Sequence, residues 1–384
     1  MKREASPPRP DFAAEAATLG FEFAFTDGEP YWDERVRYVF TRGEVEGHLE
    51  KAAADLHALC LELVGRVVQS DALLTRLRIP RHAWRPIAES WRRRDPTLYG
   101  RFDFAYDASG PPKLLEYNAD TPTSLFEAAV VQWRWLEQMI ARGCLPDDAD
   151  QFNSLHERLI ARWRAVAGDN FVHLACIMRS VEDRGTLAYI EDCAGQAGLA
   201  TKALDMGDIG LHRSTFVDRS GRPVRHLFKL YAWEWMFADP FGNLPAISTT
   251  RFVEPPWKMI LSNKGMLALL WEMAPEHPNL LPCYFEDDAD AARLRRYARK
   301  PLYSREGADI ELVSPGGCLA GISDGYGAEG FVRQELSLLP QFDGRYPVIG
   351  CWVVGDEPAG MGLREEASPI TTNRACFVPH VILD

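Results

Sequence analysis

The chain is 384 residues long with a formal net charge of −12, from 43 basic against 55 acidic side chains, which argues against a general nucleic-acid surface. Its composition, 46% hydrophobic and 26% charged, is that of a globular protein, and no apolar run is long enough to span a membrane. MKREASPPRP lacks the apolar stretch of a signal peptide, so a cytoplasmic protein is expected; the eight scattered cysteines, without a CxxC pair, read as reduced thiols.

In chain order, the first ten residues, proline-rich and without an apolar pattern, predict a loose tail. Residues 20–34, GFEFAFTDGEPYWDE, read as a short strand and a packed loop around Tyr31 and Trp32. From Glu44 to about Val68 the spacing of Leu49, Ala53, Leu56, Cys60 and Val64 predicts a helix with one apolar stripe, and His57 beside it reads as a packing residue. A second helix is expected over 83–94.

Residues 101–124, RFDFAYDASGPPKLLEYNADTPTS, look least like ordinary packing. Two aromatic and aliphatic runs flank a Ser-Gly-Pro-Pro turn, which predicts a β-hairpin. Strand alternation puts Arg101, Asp103 and Ala105 on one face and Phe102, Phe104 and Tyr106 on the other. If the hairpin closes symmetrically near Ser109 and Gly110, Asp103 faces Glu116 and Arg101 faces Asn118. Two carboxylates directly across a strand pair repel, so their charge must be offset. A divalent cation would do this, since two carboxylates and an amide oxygen are hard ligands suited to Mg²⁺. Arg101 would then stand ready for a phosphate oxygen. The alternative is an exposed sheet face carrying ordinary charges.

An apolar helix is predicted from Leu125 to Ala141, with Thr121, Thr123 or Ser124 available to cap it; its free N–H groups suit an anionic substrate group. Beyond another helix, FNSLHERLIARWRAVA, the units FVHLACIMRS, GTLAYIEDCAGQAGL and TKALDMGDIGL alternate as strand, helix and strand, predicting a small parallel α/β unit over 168–250. Glu182 and Asp183 stand at the end of its first strand, where open α/β sheets bind ligands. Lys229 and Glu234 sit among aromatics and read as packing. Further on, Lys264 stands at the mouth of an apolar helix, and Lys300 lies on a strand that leads into the loop SREG, a combination able to hold a nucleotide phosphate. The last strands form a hairpin around Gly355 and Asp356, with Arg364 facing the same way as Gly362 and Glu366.

With RFDF and LLEYNADTPTS, SNKGMLALLW, RKPLYSREGADI, and RQELSLLP with GLRE in this order, the chain resembles the synthetase part of the glutathionylspermidine synthase family and its shorter single-domain relatives. The resemblance implies an α+β ATP-grasp fold in permuted order, the metal-binding hairpin preceding the ATP-binding lysines, with an inserted small α/β unit. On this reading 1–167 form the first part with the hairpin, 168–250 the substrate-side unit, and 251–384 the ATP-binding lid and C-terminal part. It further implies that Asp103, Glu116 and Asn118 hold Mg²⁺ and that Lys264 and Lys300 bind ATP phosphates. Glu306 and Gly307 would belong to the lid, and Gln334, Glu335, Leu336 and Ser337 would line the adenine. Arg101 and Arg364 would stabilise the transferring phosphoryl group, and a peptide substrate would fall near Thr121, Glu182, Asp183 and Lys229.

The implied chemistry is ATP-dependent amide formation between a small peptide and an amine, through an acyl phosphate. Bifunctional members of the family carry an N-terminal cysteine amidase domain, whereas this chain starts directly in the synthetase part, so amide hydrolysis is not expected. Where those members share a Ser-Ala-Ser-Cys run, this chain has Thr121, Pro122, Thr123 and Ser124, which leaves glutathione and spermidine open as substrates. Two further readings stand beside the ligase: an ATP-binding pseudo-ligase acting through a partner, and a glycosidase using Asp103 and Glu116, which leaves the lysines and the lid loop without a role.

Overall fold

A computed structural model describes residues 1–26, 28–244 and 246–384 of the chain, so that Asp27 in the aromatic loop and Pro245 in the α/β unit lie outside the described residues. The architecture is mixed α/β, organised by three sheets. A central antiparallel sheet runs in the order Cys376–Val378, Glu357–Glu366, Tyr346–Val354, Tyr99–Ala105, Lys113–Asn118. The hairpin therefore pairs with strands some 240 residues downstream, and neither end of the chain completes this sheet alone. A second, all-antiparallel sheet has the order Cys283–Phe285, Phe331–Glu335, Tyr297–Pro301, Glu311–Ser314, Gly317–Ala320.

The third sheet is parallel throughout, in the order Arg251–Val253, His226–Leu230, Val172–Cys176, Thr201–Asp205. Helix Val181–Gln196 connects its two last-named strands, as the alternating pattern predicted. Val172–Cys176 is buried along its whole length, which is why it reads as a nearly continuous apolar run.

The hairpin register follows the symmetric closure. Arg101 pairs with Asn118, Phe102 with Tyr117 and Asp103 with Glu116; a bulge after Asp103 then shifts the pairing to Phe104 with Leu114. On the inner face Phe102 and Tyr117 stack with ring centroids 3.8 Å apart, both buried in the larger core. Tyr117 also fits over Gly100, where a Cβ would come within 2.6 Å of its hydroxyl. The helical segment 42–67 covers this core with its predicted stripe: Leu49, Ala53, Leu56, Cys60 and Val64 are all enclosed. Thr41 and Glu44 start it with a reciprocal capping box. His57 is buried beside the stripe, within 3.5 Å of the Tyr117 hydroxyl and of Asp356. A second core surrounds the helical segment 125–141, helix Leu155–Ala167 and helix Val181–Gln196.

The N-terminus departs from the expected loose tail. Lys2–Ala5 forms a strand antiparallel to Val36–Phe40, which in turn pairs in parallel with His380–Ile382. Arg3 reaches Glu365 with two hydrogen bonds of 2.9 and 2.8 Å, so partners distant in sequence order a segment with little apolar drive of its own.

One buried ion pair ties the parallel sheet to the end of the hairpin. Lys229, with no exposed surface, donates to Asp120 Oδ1 at 2.7 Å and to the Tyr231 carbonyl at 2.9 Å. Asp120 Oδ2 accepts from the backbone N–H of Trp233 at 2.9 Å. Removing one partner strands a buried charge, so Lys229→Ala is expected to lower the unfolding free energy by about 3–5 kcal/mol. Urea denaturation checks this; an unchanged midpoint would show that the pair is not what holds the hairpin's end in place.

Candidate active site

The outer face of the hairpin lines a cleft of about 1160 Å³ between the central and the second antiparallel sheet. Its wall carries apolar residues, Leu115, Leu339 and Val348 among them packed as one cluster and Ile310 and Leu312 beside these in the lining, together with a set of charged side chains. Gln334, Glu335, Leu336 and Ser337 line the cleft, as do Arg101, Asp103, Glu116, Asn118, Lys300, Glu306, Gly307 and Arg364. Lys264 opens onto a smaller adjoining pocket shared with Glu116, Asn118 and Thr121. Residues spread over more than 260 positions are thus brought to one cavity.

The facing carboxylates are neutralised by the protein's own cations. Arg101 grips Asp103 with Nε and Nη2 at 2.6 and 3.0 Å, and Arg364 Nη2 donates to Asp103 Oδ2 at 2.9 Å. Lys264 Nζ lies 3.1 Å from Glu116 Oε2. Asn118 Nδ2 sits between the two acids, 3.3 Å from Asp103 Oδ2 and 3.1 Å from Glu116 Oε1. The offset that the repulsion between these acids demands is present in the protein itself, in arginine and lysine supplied from distant strands and loops. Burial alone would push the Glu116 carboxyl up, but Lys264 and Lys300 outweigh it and hold it well below the usual carboxylate range.

The donor set nevertheless fits a hard cation. Asp103 and Glu116 converge on a single amide group, and the oxygen of Asn118 comes into the same place when that amide is turned over, an assignment that geometry leaves free. Two carboxylates and an amide oxygen suit Mg²⁺ and leave coordination positions for phosphate and water. Among the described residues no group of three or more His, Cys, Asp or Glu side chains is placed to hold a metal ion.

Lys300 Nζ donates to the Leu115 carbonyl and to Gln334 Oε1, both at 2.8 Å, and Gln334 in turn donates to the Leu114 carbonyl at 2.9 Å. This stitches the second sheet to the hairpin. Burial lowers the Lys300 ammonium to about 8, with Lys264 adding repulsion against the attraction of Glu116. In the SREG loop, Glu306 and Gly307 both take positive φ, +53° and +70°. Gly307 lies so close to Thr371 that a Cβ would come within 2.6 Å of its carbonyl oxygen, a contact that only glycine permits.

Arg305, which sequence reasoning passed over although it lies inside the SREG motif, bridges three elements. It donates to Thr121 Oγ1 at 2.7 Å and to Glu234 Oε1 at 2.8 Å, with its guanidinium 4.9 Å from the centre of the Trp235 ring. Of the other substrate-side residues, Glu182 and Asp183 occupy the first turn of helix Val181–Gln196, with the Ser180 hydroxyl accepting from the Asp183 N–H. Burial and the charges of Glu182 and Glu306 raise the Asp183 carboxyl to about 6, which places these acids close to the lid. Lys229 is not brought to the cleft; it is enclosed and committed to Asp120. The packing reading of Lys229 is thus the one the structure agrees with, and the substrate role implied by the resemblance is not; its partner, 109 residues away, is not legible in the sequence.

Comparison with known proteins agrees with this geometry. Residues 3–383 match the family described as Glutathionylspermidine synthase preATP-grasp. A Haemophilus influenzae protein named "Putative acid--amine ligase" is 40% identical over 396 residues, covering 99% of this chain and 99% of that protein. Trypanothione synthetase of Crithidia fasciculata is 30% identical over 85% of this chain, and the bifunctional glutathionylspermidine synthetase/amidase of Escherichia coli is 28% identical over 93% of it. The chain spans only 54% and 61% of the lengths of these last two. The chain belongs to the glutathionylspermidine synthase family, among ATP-dependent ligases that join acids to amines.

Proposed function

We propose that the cleft is an ATP-grasp site in which a small peptide carboxylate is activated by ATP and joined to an amine. One observation supports this above all: four cations, Arg101, Arg364, Lys300 and, from the adjoining pocket, Lys264, surround the Asp103–Glu116–Asn118 wall of a cleft that also carries the apolar cluster of Leu115, Leu339 and Val348. The apolar residues suit an adenine, with Gln334 to Ser337 in the same lining and Glu306 and Gly307 in the lid. The charged side chains suit a triphosphate. Phosphoryl transfer needs positioning and charge neutralisation more than a strong base. When bound, Mg²⁺ would be held by Asp103, Glu116 and Asn118 and would neutralise the phosphate oxygens.

In the first step the peptide carboxylate attacks the γ-phosphorus, the bond to the bridging oxygen breaks, and ADP leaves with an acyl phosphate remaining. In the second the amine attacks the carbonyl carbon and phosphate leaves. Arg101 and Arg364, both held on Asp103 at this wall, are the cations placed to meet the transferring group. The lid excludes the water that would hydrolyse the acyl phosphate. The peptide lies by Thr121, Glu182 and Asp183. The relative matched along its full length is named only for an acid and an amine, so glutathione and spermidine head the test panel without being assigned. Eight unpaired cysteines support a reducing, cytoplasmic setting.

The decisive measurement is ADP release with Mg·ATP against a panel of small peptides, glutathione first, and amines, spermidine first. Asp103→Ala and Glu116→Ala are expected to reduce turnover by at least about 1000-fold, while Thr121→Ala mainly changes which substrates are accepted. Full activity in either acid variant would sink the assignment.

A pH dependence follows from Lys300. Bound phosphate favours the charged ammonium, so ATP affinity is complete below the value of about 8 and is lost as pH rises through it. Above that value the apparent dissociation constant should climb by up to about tenfold per pH unit. Lys300→Arg, which stays charged, should flatten the profile. Calorimetric titration of ATP from neutral to alkaline pH decides the matter: equal slopes for the two proteins would exclude Lys300 as the phosphate ligand.

A further inference from the structure

An amine that attacks an acyl phosphate must shed protons. At neutral pH it arrives as an ammonium, whose nitrogen has no lone pair to give, and a second N–H proton leaves as the tetrahedral intermediate collapses. Lysines and arginines crowd the phosphate end of the cleft, and none of them is suited to take a proton from a cation. On the substrate side, one buried carboxyl is left unused by the chemistry above.

Glu127 stands in the first turn after the loop Thr121 to Ser124 and has no exposed surface. Its Oε1 accepts a hydrogen bond from the Tyr31 hydroxyl at 2.5 Å, and its Oε2 is buried without a hydrogen-bond partner. Among the described residues no cation touches it. The charged groups that face it are Glu182 on helix Val181–Gln196 and, on strand Glu357–Glu366, Arg364. The Tyr31 hydroxyl is hydrogen-bonded with the Ser124 side chain and lies in the fields of Glu127 and Glu182, while Arg101 in turn feels Tyr31. Its ring is fixed among Phe21 and Phe23, with centroids 6.2 and 5.6 Å away. Tyr31 and Glu127 therefore meet where the substrate loop, the acid-bearing helix and the hairpin arginine come together.

We propose that Tyr31 and Glu127 form a relay that removes a proton from the acceptor amine as it attacks the activated carboxyl, on the ligase reading given above. The amine N–H bond breaks toward the Tyr31 oxygen, the Tyr31 O–H proton passes to Glu127 Oε1, and the nitrogen lone pair forms the bond to the carbonyl carbon. The carbon–oxygen bond to phosphate then breaks, and phosphate departs with its electron pair and takes up the second N–H proton. Tyr31 touches the amine; Glu127 acts through Tyr31 and sets its orientation. Burial raises the Glu127 carboxyl to about 7, where a proton acceptor works best near neutral pH. An ammonium arriving beside Glu182 favours the ionised form of Glu127, and loss of that positive charge on attack favours the protonated form, so the transfer follows the chemistry.

The experiment compares two nucleophiles on one activated acid: spermidine, or the amine that replaces it as best acceptor in the panel, and hydroxylamine, which is largely uncharged at neutral pH and traps acyl phosphates without help. Glu127→Gln keeps shape and hydrogen-bonding capacity, and Tyr31→Phe keeps the ring. In both variants amide formation at neutral pH should fall about 100-fold, while ATP-dependent hydroxamate formation stays within about threefold of the unmodified protein. The wild-type amide rate should rise with pH and level off above about 7, as Glu127 ionises; in Glu127→Gln the levelling should vanish, the rate climbing with the free-amine fraction. Parallel loss of amide and hydroxamate, or an unchanged amide rate and pH profile, overturns the relay. Absence of ATP-dependent hydroxamate in the unmodified protein overturns instead the ligase reading on which it rests.

Discussion

Asp103 and Glu116 face each other across a strand pair, and the rest of the structure can be read as the means of making that tolerable. Like charges directly opposite in a sheet destabilise it, more so where water is scarce. Asp103 is 3% exposed, so solvent does little to screen it. Arg101 comes from the same strand, Arg364 from a strand two positions away in the sheet, and Lys264 from the start of helix Gly265–Met273. Each neutralising group is itself held. Arg101 donates to the Thr123 carbonyl at 2.5 Å and lies over Gly350, where a Cβ would come within 2.6 Å of its Cδ. Lys264 donates to the Ser304 carbonyl at 2.8 Å. The acids and their cations form a preorganised charge array, which is the state an enzyme needs if it is to stabilise a transferring phosphoryl group without reorganising at the moment of reaction.

This constraint also explains the topology. A hairpin built from residues 99–118 cannot supply its own counter-charges beyond Arg101, so the chain returns after residue 346 to lay two long strands beside it. The second sheet does the same from above, where Lys300 and Gln334 bind hairpin carbonyls. The apolar face of the hairpin meanwhile carries Phe102, Phe104 and Tyr117 into the larger core. Alternation along one strand thus couples hydrophobic burial to placement of charge: a one-residue slip would send the phenylalanines into the cleft and the acids into the core.

What could be read in the sequence was whatever depends on neighbours in the chain. The hairpin register was accessible because turn chemistry and alternation are local, and the apolar stripe Leu49 to Val64 because helical spacing is local. The bulge after Asp103 was not visible, since it depends on how the strand meets its partner. The N-terminal strand escaped because its pairing with Val36–Phe40 and its bonds to Glu365 are set by the fold. The local reading of Lys229 as a packing residue agrees with its burial, whereas the substrate role implied by the resemblance does not, and its partner Asp120, 109 positions earlier, is set by the fold. Arg305 was overlooked beside Glu306 and Gly307 for the same reason, its partners Thr121 and Glu234 lying in two other segments.

Arg305 shows why the site works as one object rather than two half-sites. The SREG loop and the loop Thr121 to Ser124, which on the proposed reading are the lid over the phosphates and the substrate loop, are joined by a single guanidinium that spans 184 positions from Arg305 to Thr121. It is anchored a third time on Glu234, in helix Trp233–Ala238, which follows the strand whose Lys229 holds Asp120, the residue just before Thr121. A closed circuit of ion pairs and hydrogen bonds therefore runs from lid to substrate loop to parallel sheet and back. Movement of any one of these elements must break a buried charge contact or carry the others with it. Breaking one is costly in a desolvated site, so moving together is the easier course. The nucleotide side and the acceptor side are thereby made to order together, and a reactive acyl phosphate would form only where the loop that receives the amine is already in place.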